Sequence, residues 1–373
     1  MKTNLHELFS FGQSPWLDYI SRKIIDNGHL QKMIDKGIVG VTSNPTIFEK
    51  AVSAGNDYES MLENLTQKGK SKEEIYDNIT IRDVQDACDL FMPVYRKTNC
   101  KDGYVSLEIN PQLAYDTNRS VEEAERLVQI VDRPNLMIKV PATEEGYPVI
   151  ETLLSQGINV NVTLIFSLDQ YRKSADAYLS GIEKAFLKRK DLSKINSVAS
   201  VFVSRVDSLI DSLLEKEINK SDNEREKSEL KSLMGKSAIA NSQLIYRQNK
   251  KIFSLPRFQE MTKNNANKQR VLWASTSTKN PNYSDVKYVK ELIAPETVNT
   301  MTEDTIEAFI DHGKVEIAIT DNIVAAEQVI SNLKERKIFI DEICQHLLED
   351  GVKKFIDSFQ SLLEAIEKKK ESF

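Results

Sequence analysis

Short apolar runs alternate along the chain with longer stretches of helical periodicity, the arrangement of a βα-repeated fold with a parallel sheet. The runs are Ile38 to Thr42, Tyr104 to Glu108, Leu136 to Val140, Ile158 to Phe166, Val198 to Val203 and Val271 to Ala274. Each carries polar residues at or just beyond its C-terminal part: Thr42 and Asn44, Glu108, Lys139, Asn161 and Thr163, Ser200 and Arg205, then Ser275. A sandwich strand with one wet face would alternate polar and apolar positions along its whole length. Polar residues gathered at one end of successive strands are what a barrel with a single functional mouth requires.

The helical stretches are legible by the same means. Val121 to Val131 reads as a helix opened by Ser120 as N-cap, with Glu123 three residues later completing a capping box. Over 351–366, Val352, Phe355, Ile356, Phe359, Leu362, Leu363 and Ile366 recur at steps of three and four. They form one apolar stripe, expected to pack on the outside of the barrel or across its mouth. From Leu214 to Gln269 the chain is denser in charge and longer than a minimal crossover, and reads as a helical insertion within the same domain. No internal repeat is visible, and the closing KKKESF reads as a frayed helix end.

Length leaves two architectures open, because 373 residues accommodate either two ordinary domains or one barrel of about 250 residues with insertions. The hydrophobic fraction of 40% suffices for a sizeable core, and no apolar stretch approaches the roughly 20 residues of a membrane span. The opening MKTNLHELFSFGQSPWLDYISRK has neither the apolar centre of a signal peptide nor the make-up of a transit peptide, so cytoplasmic residence is the expectation. Cys88, Cys100 and Cys344 are too sparse for a disulfide framework or a CxxC pair. A net charge of −6 lacks the footprint of a nucleic-acid binder, so an anionic ligand would need a local cationic site.

Lys139, within Leu136-Met137-Ile138-Lys139-Val140-Pro141, is the first candidate for chemistry. On an outer strand face it would be an ordinary exposed lysine. Pointing inward it would be desolvated, its pKa lowered and its amine suited to attack a ketone and form a Schiff base. Asp18 is either the N-cap of the following YISRKII segment or a general base, and Glu108 either a rim carboxylate or a proton relay. Gly235-Lys236-Ser237 fails as a P-loop, because the first glycine of that motif would fall at Leu230. His6, His29, His312 and His346 show no metal-ligand spacing and no GxGxxG follows a strand, so no metal, nucleotide or other cofactor is expected.

Two segments carry a family resemblance. Gly40-Val41-Thr42-Ser43-Asn44-Pro45-Thr46-Ile47-Phe48 resembles the TSNP or TTNP signature of transaldolases, and Leu136-Met137-Ile138-Lys139-Val140-Pro141-Ala142-Thr143 resembles their active-site lysine motif. Further matches follow in the family's order: Asp18, Glu108 in SLEINPQLAYD, Asn161 and Thr163 in GINVNVTLIFS, Ser200, Phe202 and Arg205 in ASVFVSRVD, and Ser275 in LWASTSTKNP. The resemblance runs from about Gln13 to the end of the 290s and is similar to the longer bacterial subgroup.

It implies a single (β/α)8 TIM barrel over residues 1–373, with extra helices in the crossover after strand 6 and at the C-terminus. It also implies transfer of a dihydroxyacetone unit from sedoheptulose 7-phosphate to glyceraldehyde 3-phosphate through a Schiff base on Lys139. Asp18, on strand 1, would be the base for C3–C4 cleavage, and Glu108 would work with a water and Thr163. Asn44 and Asn161 would hold substrate hydroxyls, with Thr42 and Ser200 nearby and Phe202 in the substrate-binding set. Arg205 would clamp the phosphate, assisted by Ser275. Short members of the family place an arginine two residues after that serine. This chain has Ser277 there, and Lys279 is taken as the second basic ligand, against the alternative of a solvent-facing loop lysine. Sugar phosphates are the expected partners, with neither nucleic acid nor membrane among them, and a homo-oligomer is left open. A second enzyme reading is a fructose 6-phosphate aldolase that releases free dihydroxyacetone, but such relatives carry a tyrosine in the relay where this chain has Glu108. A non-catalytic scaffold would have lost strand-end polar residues, and none is lost.

Overall fold

In a computed structural model that describes residues 2–54, 57–320 and 323–373, eight strands close into a parallel barrel in chain order. They are β1 (Gln13–Leu17), β2 (Val41–Thr42), β3 (Val105–Glu108), β4 (Leu136–Pro141), β5 (Val160–Ile165), β6 (Ser197–Phe202), β7 (Arg270–Ala274) and β8 (Thr297–Met301). Pairing of β8 with β1, from Gln13 opposite Thr297 to Leu17 opposite Met301, closes the ring. Every strand position is buried, since one face fills the barrel and the other lies under helices.

The six apolar runs fall on β2 to β7, and β1 carries Asp18 at its end. The periodicity revealed neither β1, which entered only through the resemblance, nor β8. The β8 sequence, Thr-Val-Asn-Thr-Met, interleaves polar residues that are buried nonetheless, because Thr297 accepts a hydrogen bond from Gln13 and Asn299 one from Thr276. Between β6 and β7 the chain passes through helices Ser204–Lys220, Glu224–Lys231, Ser237–Ser254 and Pro256–Thr262, so the 214–269 stretch is helical as expected.

Two helix starts are corrected. The helix read from Val121 begins at Thr117, capped by Asp116, whose carboxylate accepts from the Arg119 amide at 3.1 Å. Ser120 lies inside the first turn and donates to the Leu113 carbonyl instead. Asp18 is no N-cap either, because the next helix is Arg22–Asp26, with Ser21 at the cap position.

The barrel's lower end is closed by a buried ion pair. Arg270, at the start of β7, donates to Asp102 Oδ1 at 3.1 Å, to the Ser14 hydroxyl at 2.8 Å and to the Lys101 carbonyl at 2.6 Å. Asp102 also accepts from the Ser14 hydroxyl at 2.9 Å and the Trp16 indole at 3.2 Å. Three donors on one side and saturated oxygens on the other satisfy what such a pair needs to offset its desolvation.

The amphipathic stripe belongs to a 31-residue helix, Ile340–Lys370, and lies across the upper end. Its Ser358 hydroxyl shares a hydrogen bond with Thr46 at 2.8 Å, and its Phe355 reaches the mouth. Gly351 lets the helix sit on β5, since a β-carbon there would lie 2.9 Å from Leu164 Cδ2. The lysines of KKKESF complete its last turn, where positive charge complements the exposed carbonyls.

Candidate active site

The C-terminal ends of the strands surround a cavity of about 430 Å³. Its wall contains Asp18 after β1, Thr42 and Asn44 at and after β2, Lys139 on β4 and Thr163 on β5. Ser200 and Phe202 on β6, Arg205 just beyond it, and Ser275 and Lys279 after β7 complete the circuit. Strand register explains the convergence. Glu108 stands opposite Lys139, and Lys139 opposite Asn161, so three neighbouring strands aim these side chains at the same interior.

Lys139 is buried and lines the cavity inside the barrel, which removes the outer-face reading. Its Nζ donates to the Ser43 carbonyl at 3.0 Å, lies 3.4 Å from Glu108 Oε2, and stands 5.8 Å from the centre of the Phe355 ring. The serine of the Thr-Ser-Asn segment thus orients the amine through its backbone. Glu108 is buried behind Lys139, beside a constriction of about 10 Å³ walled by Ile109, Pro111, Ala114, Leu164 and Phe355. Burial in that apolar wall pushes its carboxyl up to about 7, against the pull of Lys139 and with a further push from Asp18. Its Oε2 and the hydroxyl of Thr163 have no hydrogen-bond partner among the described residues. Beside Thr163, Leu164 has φ of 59° and the β5–β6 register breaks between Val162 and Ile165. Strain of this kind, worth about 1–3 kcal/mol, concentrates at functional positions.

Asp18 accepts a hydrogen bond from the Thr42 hydroxyl at 2.8 Å, and Thr42 in turn meets Thr300 Oγ1 at 2.8 Å. Asn161 is fully buried on β5 beside Lys139, donating to Ser106 Oγ at 3.0 Å and accepting from Ser200 Oγ at 2.6 Å. Ser200 therefore orients Asn161 as well as lining the cavity. Asn44 caps the turn into helix Pro45–Ala54, its side chain accepting from the Ile47 amide at 3.0 Å.

At the far side Arg205 sits over the Phe202 ring at 5.4 Å, and its Nη1 is buried without a partner among the described residues. Burial lowers its pKa, offset by Asp350 and Asp18. A guanidinium held open in this way is built for an incoming anion. Ser275, with φ of 54°, is joined to Ser204 through both backbone and side chain, while Lys279 is exposed at the rim. Tyr19, Lys50, Thr300, Thr302 and Phe355 also line the cavity, and none was read from the sequence as a site residue. The two threonines lie on and after the strand whose polar alternation hid it, and Phe355 arrives from a remote helix.

A barrel with a buried lysine beside a carboxyl that burial raises to about 7 brings together the groups that imine chemistry requires. The model of the transaldolase/fructose-6-phosphate aldolase family matches residues 15–366. The chain is 46% identical over 373 residues to a transaldolase of Trichodesmium erythraeum, covering 99% of this chain and 98% of that one. It is 45% identical over 374 residues to a transaldolase 2 of Nostoc punctiforme, with the same coverage. A transaldolase of Mycobacterium ulcerans is 44% identical over 367 residues, 98% of this chain and 96% of the other. The chain belongs to the transaldolase/fructose-6-phosphate aldolase family. No helix among the described residues is long and apolar enough to cross a membrane.

Proposed function

We propose that this chain works as a transaldolase, moving a dihydroxyacetone unit between phosphorylated sugars through an imine on Lys139. The observation that carries the reading is the placement of the Lys139 amine 3.4 Å from Glu108 Oε2 in the wall of a cavity shared with Asp18 and Arg205.

The Lys139 amine adds to the donor's C2 carbonyl, and the carbinolamine loses its hydroxyl as water. That departure needs a proton, and hydrolysis later needs one removed. A carboxyl held near 7 does both at neutral pH, and Thr163 completes the path between Glu108 and the reacting carbon. Asp18 takes the proton of the C4 hydroxyl as the C3–C4 bond breaks, its orientation fixed by Thr42. The electron pair of that bond passes into the imine as an enamine, and the aldehyde fragment leaves. Asn44 and Asn161 hold the hydroxyls of the three-carbon unit until an acceptor aldehyde arrives and the steps reverse. Arg205, Ser275 and Lys279 receive the phosphate, which puts the sugar's reacting end at Lys139. Cytoplasmic residence accords with substrates of this kind.

The test supplies fructose 6-phosphate with or without erythrose 4-phosphate. Transfer predicts sedoheptulose 7-phosphate and glyceraldehyde 3-phosphate in equal amounts, with slow release of dihydroxyacetone when the acceptor is omitted. Release of free dihydroxyacetone as fast as transfer would make the enzyme an aldolase.

A further inference from the structure

Helix Ser204–Lys220 begins beside Arg205 and carries two buried aspartates one turn apart, Asp207 and Asp211. Both divide their oxygens in the same way. One oxygen accepts a backbone N–H from the start of helix Ser237–Ser254 or the turn before it, Asp207 from Ala238 at 2.7 Å and Asp211 from Gly235 at 2.9 Å. The other accepts a tyrosine hydroxyl, Tyr288 at 2.9 Å for Asp207 and Tyr283 at 2.7 Å for Asp211. The two tyrosines lie in the connection from β7 to β8, which also supplies Ser275, Ser277 and Lys279 to the mouth.

That connection is pinned at its near end as well. Ser275 accepts the Ser204 amide at 3.0 Å, and the Ser277 hydroxyl meets those of Thr302 and Thr305 at 2.8 and 2.9 Å. The Thr278 hydroxyl donates to the Ser284 carbonyl at 2.8 Å, folding the span between into a turn. Lys279 is exposed on that turn, between the anchors at Ser277 and Tyr283, so its location follows from where Tyr283 is held. Gly235 supplies the seat. Its φ is +68°, and a β-carbon there would lie 2.7 Å from Tyr283 Cζ, so a larger residue would displace the ring. The Gly235-Lys236-Ser237 triplet, which lacks the first glycine of a P-loop, thus has a use in this chain.

We propose that Tyr283, seated on Asp211 and Gly235, is a specificity-positioning residue that fixes the Lys279 turn at the phosphate end of the mouth. The helices inserted after β6 are then the platform for that turn. The inference rests on the reading of Arg205, Ser275 and Lys279 as the phosphate end.

The test measures kcat and KM for erythrose 4-phosphate and for unphosphorylated erythrose as acceptors. The enzymes are wild type, Tyr283→Phe, Gly235→Ala, Lys279→Ala, Arg205→Ala and the Tyr283→Phe/Lys279→Ala double variant. Loss of a hydrogen bond to a charged group predicts that Tyr283→Phe raises KM for erythrose 4-phosphate about tenfold, with kcat and the unphosphorylated acceptor within about twofold of wild type. Gly235→Ala should reproduce that pattern from the other side of the ring. The double variant should be no worse than Lys279→Ala alone, because both act through one group. Equal losses of kcat on both acceptors would reduce Tyr283 to a structural role and overturn the proposal. If Arg205→Ala abolishes phosphate preference while Tyr283→Phe and Gly235→Ala leave it intact, positioning fails and the phosphate site stands. If Arg205→Ala leaves the preference unchanged, the phosphate site falls and the proposal with it.

Discussion

The barrel encloses two pairs of cation and carboxylate, one at each end, and they are built to opposite specifications. At the lower end Arg270 and Asp102 spend their hydrogen-bonding capacity on each other, Ser14, Trp16 and the Lys101 carbonyl. At the mouth Lys139 has one backbone acceptor and a carboxylate oxygen 3.4 Å away, and that oxygen makes no hydrogen bond among the described residues. Saturation gives a rigid plug that can do nothing else. Under-satisfaction leaves an amine and a carboxyl whose remaining valence is directed at whatever enters. Similar groups in similar burial therefore serve stability at one end and chemistry at the other, and the difference lies in their neighbours.

Substitution separates the two pairs most sharply at the lysine. Lys139→Met should lower turnover by more than about 10³-fold, because it removes the amine that lies beside Glu108. Its thermal midpoint should stay level or rise, since Glu108 can take up a proton once its partner is apolar. A melting temperature that collapsed with activity would make Lys139 a structural residue like Arg270. Asp18→Asn comes next, with a loss of about 10²–10⁴-fold in turnover while the imine still forms. Rapid-quench separation of imine formation from aldehyde release measures the two steps, and near-normal release would remove Asp18 as the base.

The lower pair should respond in the opposite sense. Arg270→Met leaves Asp102 buried without its cation and should cost about 3–5 kcal/mol of unfolding free energy by urea titration. Turnover per folded molecule should remain within about threefold of wild type. Loss of activity without loss of stability would contradict the assignment of this pair to the fold.

The smallest effect sharpens the comparison through pH. Glu108 is raised from the ordinary glutamate value of 4.5 to about 7, so the folded state holds its proton where the unfolded chain releases it. Its contribution to stability is complete below 4.5 and is lost as pH rises through about 7. Glu108→Gln should flatten that part of the stability profile. Infrared difference titration should show one carboxyl absent from this variant that titrates near 7 in wild type. Lys139 lowers this pKa and Asp18 raises it, so Lys139→Met should move the titration up and Asp18→Asn should move it down. Shifts in the same direction would contradict the electrostatic account.

β2 to β7 were legible in the sequence because each lies in a short, mainly apolar run, while β8 was hidden by Thr297, Asn299 and Thr300, whose partners lie on β1, just beyond β7 and on β2. The strand-end residues were found from position and resemblance. Whether Lys139 faced inward was not decidable from its own strand, because a fully buried strand has no polar alternation to mark its two faces. Asp18 looked like a cap because a carboxylate before a helical segment is the usual capping pattern, but the chain runs on through Tyr19 and Ile20 before Ser21 takes the cap position. Phe355 and the seat of Tyr283 depend on contacts between distant segments, which no local pattern encodes.

The central claim, that Lys139 is the reactive amine, is tested most directly by reducing the enzyme with borohydride in the presence of fructose 6-phosphate and mapping its peptides by mass. The account predicts a single three-carbon adduct, on the peptide containing Lys139, together with loss of activity and no adduct in Lys139→Met. An adduct on another lysine, or full activity after reduction with no adduct at all, would contradict it.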